Sequence, residues 1–380
     1  MLRQDLGTRA ETVGSLLRPQ EVLDAVQRDS GSRAEILDSA VLDAVKLQRD
    51  AGLDIITDGE MRRLSFAQTP YFLDCFERRP GGADLNWRGG TGPATTPAGA
   101  GLVIGSEQPT HPVVVRRVAD AHRTGNMAAE YAFLARHAGG TRTKYALAAP
   151  SFHRRYWSAE HSTQAYRSCE EFLTEIRDYE REIVEQVAAL GCDYVQLDAP
   201  NYGTLCDADY RARFERDGRD VHAEIAFDAD LDNSLFDGIG NVTRALHICR
   251  GNAPGGKWNA TGGYGAVSGE LFPRLDFDRL LLEYDTDRAG TFAPLADARP
   301  GTVVVLGLLT TKSGELEDAD EVAARIAEAA TIKPLAELAL STQCGFASVA
   351  NGNPLTPAQQ QDKLRLVVTV ARRIWGSEPT

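Results

Sequence analysis

The sequence predicts a (β/α)8 TIM barrel: one α/β domain with an insertion after its second βα unit. Three observations carry the prediction. Short β-rich runs alternate with helical patterns along the 380 residues, which argues for a parallel sheet. Eight such runs occur, the number that closes a barrel of this class. Finally, Ser15, Asp58, Glu60, Ser151, Asp198, His247, Cys249, Glu283, Thr310 and Cys344 all fall at or just past the C-terminal end of a run. In such barrels that face carries the chemistry.

In chain order, the runs are 11–15, 54–57, 144–149, 194–198, 243–249, 280–283, 303–308 and 338–342. Helical patterns cover 33–51, 168–190, 318–331 and 357–375. In the second of these, Phe172, Ile176, Ile183, Val184 and Val187 recur near helical spacing. Two segments break the rhythm. Residues 78–100 are rich in Gly, Pro and Thr, and 113–118 reads as a strand. The stretch 78–125 is therefore expected to be an insertion, a hairpin over one end of the barrel. Residues 207–237 are charged and less regular. Both segments are placed to shape an active-site mouth. The whole of 1–380 reads as one domain, because barrels of this class routinely exceed 250 residues.

Composition narrows the function. A net charge of −13 argues against non-specific binding to nucleic acid or to an anionic membrane. No apolar stretch approaches the ~20 residues of a membrane span, and residues 1–10 lack the apolar core of a signal peptide. Six scattered cysteines do not form a disulfide framework, so a reducing cytoplasm is the expected compartment. Cys75, Cys169, Cys192 and Cys206 read as packed residues. Oligomeric state is left open, a homo-oligomer included.

The chemistry concentrates in TRALHICRGN and LSTQCGF. Positions two apart on a strand share a face, so His247 and Cys249 can grip one ion. Any one His or Cys is more often a packed residue than a ligand. Together with Cys344 and a carboxylate, however, they make a borderline-soft set suited to tetrahedral zinc. Glu283, ending LLLE, is the expected fourth ligand; Glu270, in SGELF, is its rival. Glu283 and Asp198 are the candidate catalytic residues. Asp198 ends YVQLD, and Glu60 lies in TDGEMRR. Both could hold a substrate ammonium, although Glu60 could instead pair with Arg62 or Arg63. Ser15 either caps a helix or donates to a substrate carboxylate. No P-loop, dinucleotide fingerprint or nucleophile elbow is present. The glycine pairs 255–256 and 262–263 read as a flexible loop after the H-x-C strand.

TVGSLLRP, DIITDGEMRR, VQLDAP, HICRGN, LLLEYDT and STQCGF, in that order, resemble the cobalamin-independent methionine synthases. The resemblance is to their catalytic C-terminal barrel, and most closely to the short single-barrel members; it spans nearly the whole chain. It implies zinc on His247, Cys249, Glu283 and Cys344. It also implies that Ser15, Glu60 and Asp198 contact the amino-acid part of homocysteine. The expected reaction moves a methyl group from a donor, methyl-folate or another, to the homocysteine thiolate, with Glu283 yielding its place to the thiol.

Three features depart from the family. Its long members carry an extra N-terminal barrel with no counterpart here. Its seventh-strand histidine is missing from LGLLTT (306–311), and Ala199 stands where an acidic residue usually follows Asp198. His153 and His161 are candidates to replace a lost acid, or else are surface or stacking residues. Two alternatives stay open: zinc-dependent alkyl transfer to another thiol, as in the similar epoxyalkane:coenzyme M transferases, and a non-catalytic zinc-binding barrel. A sulfonated thiol would call on cations such as Arg18, Arg62 or Arg63.

Overall fold

The computed structural model describes residues 7–27, 32–80, 110–253, 256–350 and 352–376. Its strands in chain order are β1 (Ala10–Glu11), β2 (Ile55–Ile56), β3 (Phe76–Pro80), β4 (Thr110–Val114), β5 (Arg142–Thr143), β6 (Tyr145–Ala148), β7 (Tyr194–Asp198), β8 (Thr243–Ile248), β9 (Asn252–Ala253), β10 (Lys257–Trp258), β11 (Arg279–Glu283), β12 (Val303–Leu309) and β13 (Leu338–Thr342). Seven of the eight expected runs contain or nearly coincide with a strand; the first, 11–15, shares only Glu11 with β1.

Seven strands form one curled sheet in the order β1-β13-β12-β11-β8-β7-β6, and every pairing in it is parallel. The second run contributes β2, which lies outside that sheet and pairs in parallel with β5; only Lys144 separates β5 from β6. Between the first two runs the links are isolated hydrogen bonds: Asp54 N to Ala10 O at 3.0 Å and Thr57 Oγ1 to Gly14 O at 2.8 Å. The architecture is TIM-barrel-like. Strands buried on both faces appear as near-continuous apolar runs, and β7, β11, β12 and β13 are buried at every position, with polar residues such as Gln196, Asp198, Arg279 and Glu283 set among the apolar ones.

Val13, Ile55, Tyr194, Leu281, Val305 and Ala339 belong to a small inner cluster, distinct from the larger apolar layer between sheet and helices. Below the site this interior also holds charge. Glu11 accepts from Lys144 Nζ and from Arg279 NH2, each at 2.8 Å, and from the Tyr194 hydroxyl at 3.1 Å. Glu11 and Arg279 are fully buried and Lys144 is nearly so. Despite the cost of burial, the two cations hold the Glu11 pKa down at about 2.

Helices Arg33–Ala51 and Pro357–Trp375 have the expected bounds. The second opens on a capping box between Thr356 and Gln359. The helices Cys169–Ala189 and Ala319–Ala330 start one residue later than expected, because Ser168 and Asp318 are N-caps whose side chains accept backbone N–H groups. The expected irregularity of 207–237 is corrected: helices Ala208–Arg216 and Val221–Ser234 lie there, capped by Asp207 and Asp220. Their charge hides a sparse inward face, Phe214 on the first and Ile225 and Leu231 on the second. The strand expected at 113–118 sits earlier, at β4, and Val118 opens a 3-10 turn. β3 and β4 pair antiparallel, as a hairpin requires; residues 81–109 of the expected insertion lie outside the described residues. No described helix is long and apolar enough to cross a membrane.

Candidate metal centre and substrate pocket

β8 places His247 on the sheet's inner side and delivers Cys249 one residue past its end. Cys344 follows β13 by two residues. Ligand atoms of these three buried residues lie within 4.8 Å of one another. The group could therefore hold a metal ion, and its donor set of two sulfurs and one imidazole suits a borderline-soft divalent cation.

Several groups prepare the donors. His247 Nδ1 lies 3.1 Å from the Leu281 carbonyl. A carbonyl only accepts, so Nδ1 carries the proton and Nε2 keeps its lone pair. That Nε2 is buried without a hydrogen-bond partner, which fits a role as a metal ligand. Gly251 N donates to Cys249 Sγ at 3.4 Å. Asn252 Nδ2 donates to Cys344 Sγ at 3.3 Å. The neighbouring Cys249 and His247 hold the Cys344 thiol well below its ordinary pKa, while Cys344 and burial push the Cys249 thiol well above it. Burial works against a charged His247, but the Cys344 sulfur and the Asp198 carboxylate outweigh it and raise its pKa.

Glu283 ends β11 as expected but is not part of that three-residue group. Its Oε2 accepts from Arg250 N at 3.0 Å and Gln343 Nε2 at 2.9 Å, and its Oε1 pairs with Arg288. Burial alone would raise its pKa; Arg288, Arg250 and Lys312 hold it at about 2. Glu270, the rival ligand, pairs at the surface with His222 at 2.7 Å. That excludes it from the centre in this arrangement.

Above the three ligands opens a pocket of about 770 Å³, its mouth included, lined by Ser15, Glu60, Asp198, His247, Cys249 and Cys344 among others. Asp198 Oδ1 accepts from Gln196 Nε2 at 2.7 Å, and burial raises its pKa to about 6. Glu60 does not pair with its neighbours in sequence, because Arg62 turns to Asp38 and Arg63 to Glu130 at 2.9 Å. Its Oε2 is buried without a partner, and burial pushes its pKa to about 7. Its backbone is left-handed, with φ +55°. For a non-glycine residue that conformation is strained and concentrates at functional sites; here the Asp58 carboxylate, accepting from Glu60 N at 2.8 Å, supports it. Gly14 permits the approach, since a Cβ there would lie 2.6 Å from Glu60 Oε1.

Ser15 does not cap a helix. The next one, Gln20–Gln27, starts five residues on, and Ser15 Oγ instead accepts from Ala347 N at 3.3 Å. Ser15 thereby ties the end of the first run to the loop that carries Cys344. Gly345 makes room, because a Cβ there would meet Ser15 Oγ at 2.1 Å.

Other candidates fall elsewhere. Ser151 binds Asp232 at 2.7 Å. His153 is fully buried and does not line the pocket. Its Nδ1 donates to Ala149 O at 3.1 Å, and burial lowers its pKa to about 4. His161 lies 3.8 Å from Glu160. Cys75, Cys169, Cys192 and Cys206 are buried free thiols; burial raises each pKa, to about 11 or 12, which makes them unreactive.

The sequence reading missed the pocket's outer wall of Phe66, Tyr71, Phe152, Arg155 and Tyr156, with Pro112 from β4. Arg155 lies over the rings of Phe152 and Tyr156 at 5.0 and 5.5 Å. Aromatic and basic side chains in SFHRRYW, just past a strand end, were the available signal.

Fold and site together define a TIM-barrel-like α/β protein with a metal-competent His–Cys–Cys group at the floor of an acidic, aromatic-rimmed pocket. No family model matches the chain. It is 32% identical over 388 residues to the uncharacterized protein YxjH of Bacillus subtilis, covering 97% of this chain and 94% of that protein, and it belongs to the same family. It is 26% identical to a 2-hydroxypropyl-CoM lyase of Xanthobacter autotrophicus, covering 86% of this chain and 82% of that one. Among solved structures, it is similar to the "putative vitamin-B12 independent methionine synthase" of Listeria monocytogenes. That match has 28% identity and a TM-score of 0.71, and covers 97% of this chain and 98% of the other.

Proposed function

We propose that this protein is a zinc-dependent, cobalamin-independent methyltransferase that transfers a methyl group to the thiolate of homocysteine and releases methionine. The observation that carries this reading is the placement of His247, Cys249 and Cys344 within 4.8 Å under the two buried carboxylates of Glu60 and Asp198. The likeness to the Listeria protein supports it. The reading includes a barrel closed between β1 and β2, and the whole chain as one unit whose insertion 78–125 helps form the pocket mouth through Pro112.

His247, Cys249 and Cys344 would hold the zinc. When bound, the ion would lower the pKa of a thiol and present it as a thiolate at neutral pH. Glu283 would complete the ligand set before substrate arrives. Its present bonds to Arg288, Gln343 and the Arg250 amide are a resting place for it once the thiol has taken that position. Glu60 and Asp198 receive the substrate ammonium, which supplies the positive charge that burial denies them. Ser15, at the junction with the Cys344 loop, donates to the substrate carboxylate. The aromatic wall excludes water. The sulfur then attacks the methyl carbon in line: the C–S bond forms, the bond from methyl to donor breaks, and its electron pair leaves with the donor, whether methyl-folate or another methyl compound. Positioning of the two reactants is the chain's main contribution.

Arg155 favours a second reading, alkyl transfer to a sulfonated thiol. Arg18 is bound to the Glu60 and Ala347 carbonyls, Arg62 to Asp38 and Arg63 to Glu130, and none of the three lines the pocket; Arg155 lines it. X-ray absorption at the zinc edge decides between the two. A rise from two to three sulfur ligands with L-homocysteine is expected. A site that ignores homocysteine but gains a sulfur from 2-mercaptoethanesulfonate would replace the first reading with the second.

A further inference from the structure

Past the end of β12, where the seventh run carries no histidine, the chain delivers a lysine. Lys312 is 6% exposed, and its ammonium donates to three neutral oxygens: Asn252 Oδ1, Gly251 O at 3.3 Å and Lys257 O at 3.2 Å. A buried cation without a carboxylate partner is costly and needs a compensating charge. The nearest local charges already balance one another. Arg288 bridges Glu283 and Asp285, and the Arg250 guanidinium donates to the Glu283 carbonyl at 3.1 Å. Two thiolates on His247–Cys249–Cys344 match a divalent ion. Lys312 is the positive charge left over.

Asn252 joins that charge to the centre. Its carbonyl oxygen takes the Lys312 ammonium, which fixes the amide so that Nδ2 faces Cys344 Sγ at 3.3 Å and Ser348 Oγ at 2.6 Å. A third thiolate would bring the centre one negative charge, which buried surroundings of low dielectric penalise strongly. We propose that Lys312, acting through Asn252 on Cys344, is a positioning residue that balances the charge of an incoming substrate thiolate and so selects a thiolate over a thioether at this site. The inference rests on the thiol-binding reading above.

The test is calorimetric titration of zinc-loaded wild type, K312M, K312R and N252D with L-homocysteine and, separately, with L-methionine, whose sulfur is uncharged. K312M and N252D are expected to weaken homocysteine about tenfold or more and methionine less than about threefold, with K312R close to wild type. N252D keeps Lys312 in place, cancels its charge and removes the amide donor to Cys344, so it reports on the Lys312–Asn252 pair even if K312M does not fold. Equal losses for both ligands would mean a packing role and overturn the inference. So would a third zinc-bound sulfur retained by both variants at wild-type homocysteine concentrations. If the wild type itself binds no homocysteine, the thiol-methyltransferase reading falls and takes this one with it.

Discussion

His247 Nδ1 donates to the carbonyl of Leu281 on the adjacent strand, at 3.1 Å. The register that pairs these two residues decides which nitrogen is free for a metal. The donor set is thus prepared by the sheet itself, and removing one donor should be felt as metal loss rather than unfolding. Cys249→Ser and Cys344→Ser are each expected to lower zinc affinity by more than the ~10–100-fold typical of outer-shell changes, and to abolish turnover. Chelator competition and zinc content per chain are the measurements. Full activity and full zinc content in both variants would remove the metal assignment.

Asp198→Asn tests the ammonium site. The variant keeps the shape and the partner Gln196 but loses the charge. A hydrogen bond to a charged group contributes about 1.5–3 kcal/mol, so KM for homocysteine should rise roughly 10–100-fold. KM for 4-mercaptobutyrate, which has no amine, should hardly change. Equal increases for both thiols would make Asp198 a structural residue.

Much of this site was legible because parallel strands bury both faces and so appear as apolar runs. A polar residue that ends such a run, like Asp198 after YVQL, stands out at once. The two-residue spacing of His247 and Cys249 declared a shared face before any coordinates. What stayed hidden depends on contacts between distant segments. Nothing near Lys312 in sequence announces Asn252, and Ser15 looks like a helix cap until its partner Ala347 is known. Glu283 was placed correctly on its strand, but its engagement with Arg288 and Gln343 follows from side-chain packing that periodicity does not encode. The helices within 207–237 were masked because their charge leaves too few apolar positions to show a period.

Glu60 should make the ligand-free protein sensitive to pH. Burial lifts its pKa from 4.5 to about 7. A raised carboxyl pKa means that the folded state favours the protonated form. Its contribution is therefore fully present below about pH 4.5 and is lost as pH rises through about 7, by at most roughly 3 kcal/mol. Glu60→Gln removes that loss, so its melting temperature should exceed wild type at pH 8 and match it near pH 5. Substrate binding should run the other way. An ammonium needs ionised Glu60 and Asp198, so KM for homocysteine should fall as pH rises from about 5.5 to 7.5. A melting difference independent of pH would mean that Glu60 is ionised and paired throughout.

Glu11 gives the opposite sign. Lys144 and Arg279 hold its pKa near 2 despite full burial. A lowered carboxyl pKa contributes stability above the unfolded value, near 4.5, which is lost as pH falls through about 2. Removing the carboxylate strands two buried cations, a change that typically costs about 3–5 kcal/mol. Glu11→Gln should therefore lower the urea midpoint at pH 7 substantially, and the difference from wild type should shrink as the pH is taken from about 4.5 toward 2. Lys144 also donates to Gln196 at 2.8 Å, and Gln196 to Asp198 at 2.7 Å, so the same network reaches the pocket. A milder variant, Gln196→Leu, should leave the Glu11 pair intact and stability reduced by only about 1–2 kcal/mol, while KM for homocysteine rises with little change in kcat. If stability falls but KM does not move, the network supports the barrel interior without orienting Asp198.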